Sequence, residues 1–415
     1  MNAGVGAEGN AGRAVSTIMR DYAAVEQWQT DIYLDLHRNP ELSMQETRTR
    51  GVIARELETL GYRVDKIGGG LVGTLDNGPG ATVMLRADFD ALPVREETGL
   101  DYASTATAVN PEGKTVSVMH ACGHDCHVAS LLAMGALMMR HREQWSGRLQ
   151  LLFQPGEETG EGSKSMVADG LVERVDTPDV VLGQHVFCGP VPAGHVGVVP
   201  GPFMSTAVNV DITLHGRGSH GSMPHLSVDP IVLAANVVQR LQTIVARELS
   251  PHEFGVVTVG VVEAGTRPNV IPETARLKLN VRAYDEAVRA RILAAIERIT
   301  RGEAAAAGAP REPEFRYYES FPVTDNDDVV ASRLTASFGR DLGEKNVHRI
   351  EPLTASEDFS VLADAFGAPY CFWLLGGAPE GVSIPNHSPK FAPVLQPTLE
   401  TGTRALVSAA CEYLR

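Results

Sequence analysis

The sequence predicts an α/β protein in which a mixed, mostly parallel sheet covered by helices is interrupted by a ferredoxin-like α+β domain. Three runs predict the sheet, namely 82–88, 148–158 and 179–186, and each holds a short apolar stretch that ends at polar or ionisable residues. Nearly continuous apolar strands are typical of a parallel sheet that is covered on both faces. The apolar run at 127–142 predicts one of the covering helices.

A second rhythm in the middle of the chain predicts the inserted domain. The order β-α-β-β-α-β is the ferredoxin-like pattern, and its segments are strand 206–214, helix 228–248, strand 254–262, strand 273–283, helix 285–306 and strand 313–319. We therefore assign 15–202 and 320–415 to one domain and 203–319 to an insertion. The small and polar residues 1–14 predict a disordered tail.

Composition limits the classes of function. The 415 residues carry 36 Lys and Arg against 51 Asp and Glu, a formal net charge of −15. This acidic balance disfavours nucleic-acid and anionic-membrane partners, because like charges repel. No stretch approaches the roughly 18 apolar residues of a membrane span. The odd number of cysteines and the lack of an apolar N-terminal segment predict a cytoplasmic protein.

Ionisable residues follow each of the three predicted strands. The first strand is followed by Asp88 and Asp90, and the second by Glu157 and Glu158. The third strand ends at His185. Because ligand sites in open α/β sheets form at the carboxyl ends of the strands, these side chains predict one site at a common rim.

The segment with the densest chemistry is 120–127, His-Ala-Cys-Gly-His-Asp-Cys-His. Six of its eight residues can bind a metal or transfer a proton. Thiolate and imidazole suit zinc, whereas carboxylates also suit manganese or magnesium. A closed zinc finger is the alternative metal site, but Cys122 and Cys126 have no second Cys/His pair at a suitable spacing.

The adjacent acids Glu157 and Glu158 predict hydrolytic chemistry. Neighbouring side chains diverge, so one carboxylate can bind a metal while the other faces a water whose pKa the metal lowers. The carboxylate that faces the water can accept its proton and pass it to a leaving amine.

Nine motifs between residues 35 and 391 then establish a family resemblance. They are DLHRNPELSMQE (35–46), RADFDALPV (86–94), MHACGHDCH (119–127), FQPGEETGEGS (153–163), GQHV (183–186), GRGSHGSMPH (216–225), AGTRPNVIP (264–272), ASEDF (355–359) and NHSPKF (386–391). With these motifs the chain resembles the aminoacylase and carboxypeptidase-G-like family of dinuclear metallohydrolases. It is most similar to the amidohydrolase branch that contains hippurate hydrolases and auxin–amino acid conjugate hydrolases.

The resemblance implies two divalent metal ions per subunit in the catalytic domain, residues 15–202 and 320–415. Zinc or manganese is expected, with cobalt and nickel as alternatives. The implied ligands are Cys122, His124, Glu158, His185 and His387. Glu157 is then expected to act as general base and acid, and Asp88 as the carboxylate that orients a metal ligand.

For the inserted domain the resemblance implies a lid and a homodimer interface. His220 is expected to reach the scissile carbonyl, from the same subunit or from the partner, while Asn269 and Arg282 contact the substrate. The family motif around the histidine usually reads Gly-Gly-His-Ala-Ala, but residues 218–222 read Gly-Ser-His-Gly-Ser. The thiols of Cys126 and Cys188 are open to packing or redox roles, with packing as the default.

The expected function is hydrolysis of a small-molecule N-acyl amino acid to a free amino acid and a carboxylic acid, with the acyl group left open. A dipeptidase or an aminobenzoyl-glutamate-type hydrolase with the same site is the nearest alternative. A metal-binding or ligand-binding module on a former hydrolase scaffold is a further alternative, disfavoured because the predicted ligands, base and lid histidine are all present.

Overall fold

The computed structural model describes residues 3–414, which form two compact units. The first unit runs to Gly201 and includes Asp325–Glu351 and Asp358 onward, while the second comprises Pro202–Thr324 and Pro352–Glu357. The predicted boundaries at 202/203 and 319/320 lie one and five residues from those of the structure, at 201/202 and 324/325. The assignment of 352–357 differs, because the structure includes this short segment in the second unit.

Eleven α-helices lie within residues 3–414. They are α1 (Ala3–Met19), α2 (Glu26–Arg38), α3 (Thr47–Thr59), α4 (His124–Arg140), α5 (Gly162–Ala168), α6 (Leu171–Arg174), α7 (Pro230–Thr243), α8 (Glu286–Ala306), α9 (Asp328–Phe338), α10 (Phe359–Phe366) and α11 (Leu395–Cys411). None of these helices in the described chain combines the length and the apolar character that crossing a bilayer requires.

The strands of the described chain number eighteen. They are β1 (Arg63–Ile67), β2 (Gly70–Asn77), β3 (Thr82–Asp88), β4 (Thr107–Val109), β5 (Thr115–Ser117), β6 (Gly147–Gln154), β7 (Val180–Pro192), β8 (Val196–Val198), β9 (Gly201–Met204), β10 (Thr206–His215), β11 (Ser219–His220), β12 (Gly255–Ala264), β13 (Val270–Ile271), β14 (Thr274–Ala283), β15 (Glu314–Phe321), β16 (Thr324–Asn326), β17 (Val347–Arg349) and β18 (Tyr370–Ala378).

An eight-stranded mixed sheet forms the centre of the first unit. Its strand order is β1-β2-β6-β3-β7-β18-β8-β17. The four central strands β6, β3, β7 and β18 are parallel, whereas β1 and β2 pair antiparallel at one edge. The predicted α/β class and mostly parallel sheet are confirmed, and β3 covers the same residues as the predicted strand 82–88.

Helix α4 lies in the core of the first unit and brings its N-terminus to the sheet. Leu131 and Leu137 of α4 belong to the same buried cluster as Leu151 of β6, Leu182 of β7 and Leu406 of α11. The helix starts at His124, three residues before the predicted start at 127. As a result, the motif 120–127 spans the turn before α4 and its first turn.

The N-terminal segment corrects one prediction, because the expected tail over 1–14 is helical from Ala3 onward in α1. Residues 1 and 2 lie outside the described part of the chain. Ala14, Val15 and Ile18 are buried in the core of the first unit. Burial of this apolar stripe stabilises a helix that the small and polar composition alone does not predict.

The second unit has the predicted ferredoxin-like fold. Its four-stranded sheet has the order β12-β14-β10-β15 and is antiparallel throughout. Alternate residues Val208, Val210, Ile212 and Leu214 of β10 are buried in a cluster with residues of α7 and α8. This period of two turns one face of the sheet towards the helices.

Candidate functional site

The carboxyl ends of parallel strands and the start of α4 supply most of the predicted site residues. Asp88 is the last residue of β3, and His185 lies in β7. Glu157 and Glu158 follow the end of β6 in a single 3₁₀ turn, Glu157–Thr159. His124 opens α4. The first unit therefore brings residues from four sequence motifs to one rim of its sheet.

Gly123 makes the turn that separates two predicted ligands, Cys122 and His124. Its φ of +80° lies in the left-handed region, which glycine adopts without strain. A Cβ at this position would also lie 2.3 Å from Cγ1 of Val186. Glycine is therefore required for both the backbone conformation and the close approach of the motif to β7.

The first group of candidate metal ligands is Cys122, His124 and His185, all of them buried. One ligand atom from each residue lies within 4.8 Å of the other two. The Sγ atom of Cys122 is 3.5 Å from Nε2 of His185. One thiol and two imidazoles at this spacing form a donor set suited to a borderline metal such as zinc.

The second group is Cys122, Glu158 and His387, whose ligand atoms also lie within 4.8 Å of one another. Nε2 of His387 is 3.2 Å from Oε2 of Glu158. The backbone N–H of His387 donates to the carbonyl of Ala121 at 2.7 Å, which ties this distant loop to the cysteine motif. Because Cys122 belongs to both groups, the five predicted ligands form one continuous cluster.

Hydrogen bonds set the orientation of the two buried histidines. Nδ1 of His185 donates to the carbonyl of Val186 at 2.9 Å, and Nδ1 of His124 donates to Oδ1 of Asp90 at 3.0 Å. With Nδ1 bonded in this way, Nε2 is the nitrogen of each ring that is left to bind a metal once it carries no proton.

Two buried atoms of the cluster provide a test of whether it fits a cation. Within residues 3–414, neither Nε2 of His124 nor Oε1 of Glu158 has a hydrogen-bond partner. Buried polar atoms without partners are costly, and a coordinated metal ion would remove that cost for both. The donor set and the two unsatisfied atoms both fit a metal.

Asp90, rather than Asp88, accepts the hydrogen bond that orients the predicted ligand His124. Besides accepting from His124, its carboxylate accepts from the backbone N–H of Glu158 through Oδ2 at 3.1 Å. One side chain thus orients two predicted ligands. No role was predicted for Asp90, although the Asp-x-Asp spacing at the end of the strand was the available signal.

Asp88 has different partners, of which His127 was also missed. Oδ1 of Asp88 accepts from Nδ1 of His127 at 2.6 Å, and Oδ2 accepts from Arg86 at 2.6 Å. Nε2 of His127 in turn accepts the backbone N–H of Val186 at 2.8 Å. Asp88 therefore links β3, α4 and β7, and its Oδ2 lies 3.6 Å from Nε2 of His124.

The electrostatic field of the rim is negative. Burial disfavours charge on His124, but the carboxylates of Asp88 and Asp90 outweigh burial and raise its pKa to about 10. Burial, and after it the nearby Glu158 and Glu157, raise the pKa of the Cys122 thiol well above its usual range. The same field that holds protons on these groups attracts divalent cations.

Glu157 and Glu158 lie at equal distances from His124. An oxygen of each carboxylate is 3.9 Å from its Nε2 atom, and both side chains are mostly buried. Glu158 also pairs with His387, whose Nε2 lies 3.2 Å from its Oε2. Glu158 therefore contacts two of the candidate ligands, and the assignment of different roles to the two acids stays a prediction.

The buried side chain of His37 contacts the motif 120–127 through Asp125. Nδ1 of His37 donates to Asp125 at 2.7 Å and Nε2 donates to Glu96 at 3.2 Å. Burial opposes charge on this ring, but the two carboxylates raise its pKa to about 9. His37 is thus a buried imidazolium that anchors Asp125 beside His124.

The remaining predicted residues lie in the second unit. His220 in β11 and Asn269 just before β13 are exposed, and they are neighbours because β11 pairs with β13. Arg282 in β14 is half-buried and donates to Asn280 at 2.9 Å and to Ser356 at 3.1 Å. The structure thus brings His220 and Asn269 together and gives Arg282 its own polar partners.

Comparison with known proteins identifies the family, since the model for peptidase family M20/M25/M40 matches residues 84–412. The chain belongs to this family. It is 34% identical over 408 residues to thermostable carboxypeptidase 2 of Saccharolobus solfataricus, covering 96% of this chain and 98% of that protein. It is 37% identical over 348 residues to hippurate hydrolase of Campylobacter jejuni, covering 81% and 85%.

A solved structure of this family has the same fold. The YxeP protein of Bacillus subtilis, described as a dinuclear metal-binding peptidase, matches with a TM-score of 0.77 and 27% identity. The match covers 94% of this chain and 98% of that one. The predicted family resemblance is confirmed, and this M20 chain is a hydrolase.

Asp90→Asn should weaken metal binding, because an amide cannot replace the carboxylate that orients His124. We expect the metal dissociation constant to rise about 10–100-fold, measured by competition with a chromophoric chelator. Asp101→Asn, at an exposed turn, is the matched control. An unchanged affinity in Asp90→Asn would contradict the orienting role.

The imidazolium of His37 should make stability depend on pH. Because its folded-state pKa is raised from 6.5 to about 9, its contribution is complete below pH 6.5 and is lost as pH rises through about 9. The difference in unfolding free energy between wild type and His37→Gln should therefore be larger at about pH 6 than at about pH 10. Denaturant titration measures it, and a difference that stays constant with pH would refute the charged state.

Proposed function

We propose that this chain is a metal-dependent amidohydrolase that cleaves the amide bond of an N-acyl amino acid, releasing a free amino acid and a carboxylic acid. The observation that carries the proposal is the buried cluster in which five candidate metal ligands adjoin a further carboxylate, Glu157. The similarity to hippurate hydrolase supports the acyl-amino acid class of substrate.

Two divalent metal ions per subunit are the proposed cofactors, zinc or manganese first and cobalt or nickel as alternatives. The residues that would hold them are Cys122, His124, Glu158, His185 and His387. Bound there, the ions would polarise the scissile carbonyl and lower the pKa of a water. The thiol favours zinc, whereas the carboxylate and imidazoles also admit manganese, cobalt and nickel.

Glu157 is the proposed general base and acid. Its carboxylate accepts a proton from the attacking water and returns it to the nitrogen of the leaving amine. The 3₁₀ turn places it directly before the ligand Glu158, at the same 3.9 Å from His124. Asp90 and Asp88 orient the surrounding histidines and do not themselves exchange protons with the substrate.

Residues of the inserted unit are proposed to bind the substrate. His220 donates a hydrogen bond to the carbonyl oxygen as negative charge develops on it, a contact typically worth about 10²–10³-fold in rate. Arg282 is suited to the α-carboxylate because a guanidinium binds carboxylates with directed N–H groups. Asn269 supplies a further polar contact.

Hydrolysis of peptides is the second candidate function. The relative that is 34% identical over 96% of the chain is named a carboxypeptidase. A dipeptidase or aminobenzoyl-glutamate-type hydrolase would use the same metal ligands and the same base. A dipeptide carries a free amino group where an N-acyl amino acid carries an acyl chain. Comparing the hydrolysis of these two kinds of substrate therefore distinguishes the two candidate functions.

Glu157→Gln should abolish most of the activity without removing the metals. The amide cannot accept the water's proton, so we expect kcat to fall about 10²–10⁴-fold, with metal content by elemental analysis unchanged. Glu161→Gln, at an exposed position of the same loop, is the control. Near-normal turnover with both metals present would show that Glu157 is not the base.

Removal of metal should abolish hydrolysis, and adding back the right ion should restore it. Chelator-treated protein is assayed with N-acetyl, N-benzoyl and indole-acetyl amino acids after separate addition of zinc, manganese, cobalt and nickel. Unblocked dipeptides form the comparison set. Faster cleavage of dipeptides than of every acyl substrate would favour the peptidase. Hydrolysis of none of the substrates by metal-loaded protein would contradict both candidates.

A homodimer through the inserted unit is also proposed, in a cytoplasmic protein. Strand β12 lies at an edge of the four-stranded sheet and exposes Val262, while α7 exposes Ile231 and Val232. Edge strands and exposed apolar residues of this kind can pair with a second copy. The cytoplasmic location stays a prediction from composition.

Light scattering at micromolar protein should give twice the 44.4 kDa mass of one chain. Val262→Lys, which places a charge on the edge strand, should shift the population towards monomer. Val109→Lys makes the same substitution at an exposed position of the first unit and should leave the mass unchanged. A wild-type monomer would refute the dimer.

A further inference from the structure

The turn that carries His220 contains a serine that contacts its ring. Nδ1 of His220 lies 3.2 Å from the backbone N of Ser222 and 2.7 Å from its Oγ. A backbone N–H can only donate, so Nδ1 must be the acceptor. The proton of the neutral ring is then on Nε2, and the hydroxyl of Ser222 donates to Nδ1 as a second bond.

We propose that Ser222 is a positioning residue that holds His220 as an Nε2–H donor. The inference rests on the proposed function, in which His220 donates to the substrate's carbonyl oxygen. Donors that are oriented before the reaction stabilise developing charge without paying for reorganisation. A ring with its proton on Nδ1 would instead turn the Nε2 lone pair towards that charge and repel it.

The neighbouring glycine allows this arrangement. The backbone N–H of Gly221 donates to the carbonyl of Asn269 at 2.8 Å. A Cβ at residue 221 would lie 3.1 Å from the carbonyl carbon and oxygen of Asn269. An alanine here would have to push the two segments apart by a few tenths of an ångström.

The same turn is closed by further bonds that leave the ring alone. The hydroxyl of Ser219 donates to the carbonyls of His220 and Met223 at 3.3 and 3.2 Å. The N–H of Met223 donates to the carbonyl of His220 at 2.8 Å. These bonds fix the backbone, so the hydroxyl of Ser222 is the contact whose removal alters the ring rather than the turn.

Two of the three departures from the usual Gly-Gly-His-Ala-Ala pattern therefore act on one histidine, while the third, Ser219, closes the turn through its hydroxyl. The glycine at 221 permits the turn to close on Asn269, and the serine at 222 adds a hydroxyl donor that an alanine lacks. The two changes together make His220 a donor of defined orientation in this chain.

Kinetics of metal-loaded full-length enzyme test the proposal. Ser222→Ala should lower kcat about threefold to tenfold, the range for loss of one neutral hydrogen bond, with KM changed less than about twofold because the bond matters most as charge develops. Ser222→Thr, which keeps the hydroxyl, should recover most of kcat. Ser227→Ala removes a hydroxyl that donates to the carbonyl of Pro224 and is the matched control.

The position of the ring proton is measured directly by nitrogen NMR of protein labelled at histidine, at about pH 8. The His220 signals are assigned by their loss in His220→Gln, and wild type should show Nε2 protonated and Nδ1 bare. A proton on Nδ1, or a kcat for Ser222→Ala equal to that of Ser227→Ala, would overturn the role of Ser222 in an active enzyme. Failure of the proposed function is a separate result, namely no hydrolysis of any acyl substrate by wild type.

Discussion

The candidate site depends on the hydrogen bonds that the buried carboxylate of Asp90 accepts. This carboxylate accepts from Nδ1 of His124 and from the backbone N–H of Glu158, so it orients two candidate ligands from different parts of the chain. A buried carboxylate is tolerated only when it is fully hydrogen-bonded or paired with charge. Ser43 supplies a further donor at 2.7 Å. The N-terminal segment, α4 and the loop after β6 are held together through this one side chain.

Much of the fold could be predicted because the signals were local, whereas the set of five candidate ligands came from the family resemblance. Continuous apolar runs predicted β3 and its neighbours, and the motif 120–127 predicted a metal cluster, in which Cys122 and His124 do lie close to His185. The distinction between Asp88 and Asp90 could not be predicted. Strand β3 ends at Asp88, so the direction of Asp90 is set by the loop that follows, and strand periodicity no longer applies.

The missed features arise from contacts between residues distant in the sequence. The predicted disordered tail is a helix because Val15 and Ile18 find a buried surface, which composition does not reveal. Segment 352–357 joins the second unit because its carbonyls accept from Arg282 and Tyr284. The predicted role of Arg282 rested on its strand position, and the structure adds partners from a segment 72 to 74 residues away. Such pairings depend on tertiary structure and have no counterpart in local patterns.

The hydrogen bond from His387 to Ala121 has a consequence for synthesis of the chain. Four candidate ligands lie between residues 122 and 185. The fifth, His387, follows the inserted unit. Domains form from the N-terminus as a chain emerges from the ribosome. A nascent chain can therefore collect a partial, open set of metal ligands long before His387 is available. The full set of candidate ligands is available only once His387 has been synthesised, so the order of ligands along the chain delays assembly of the site.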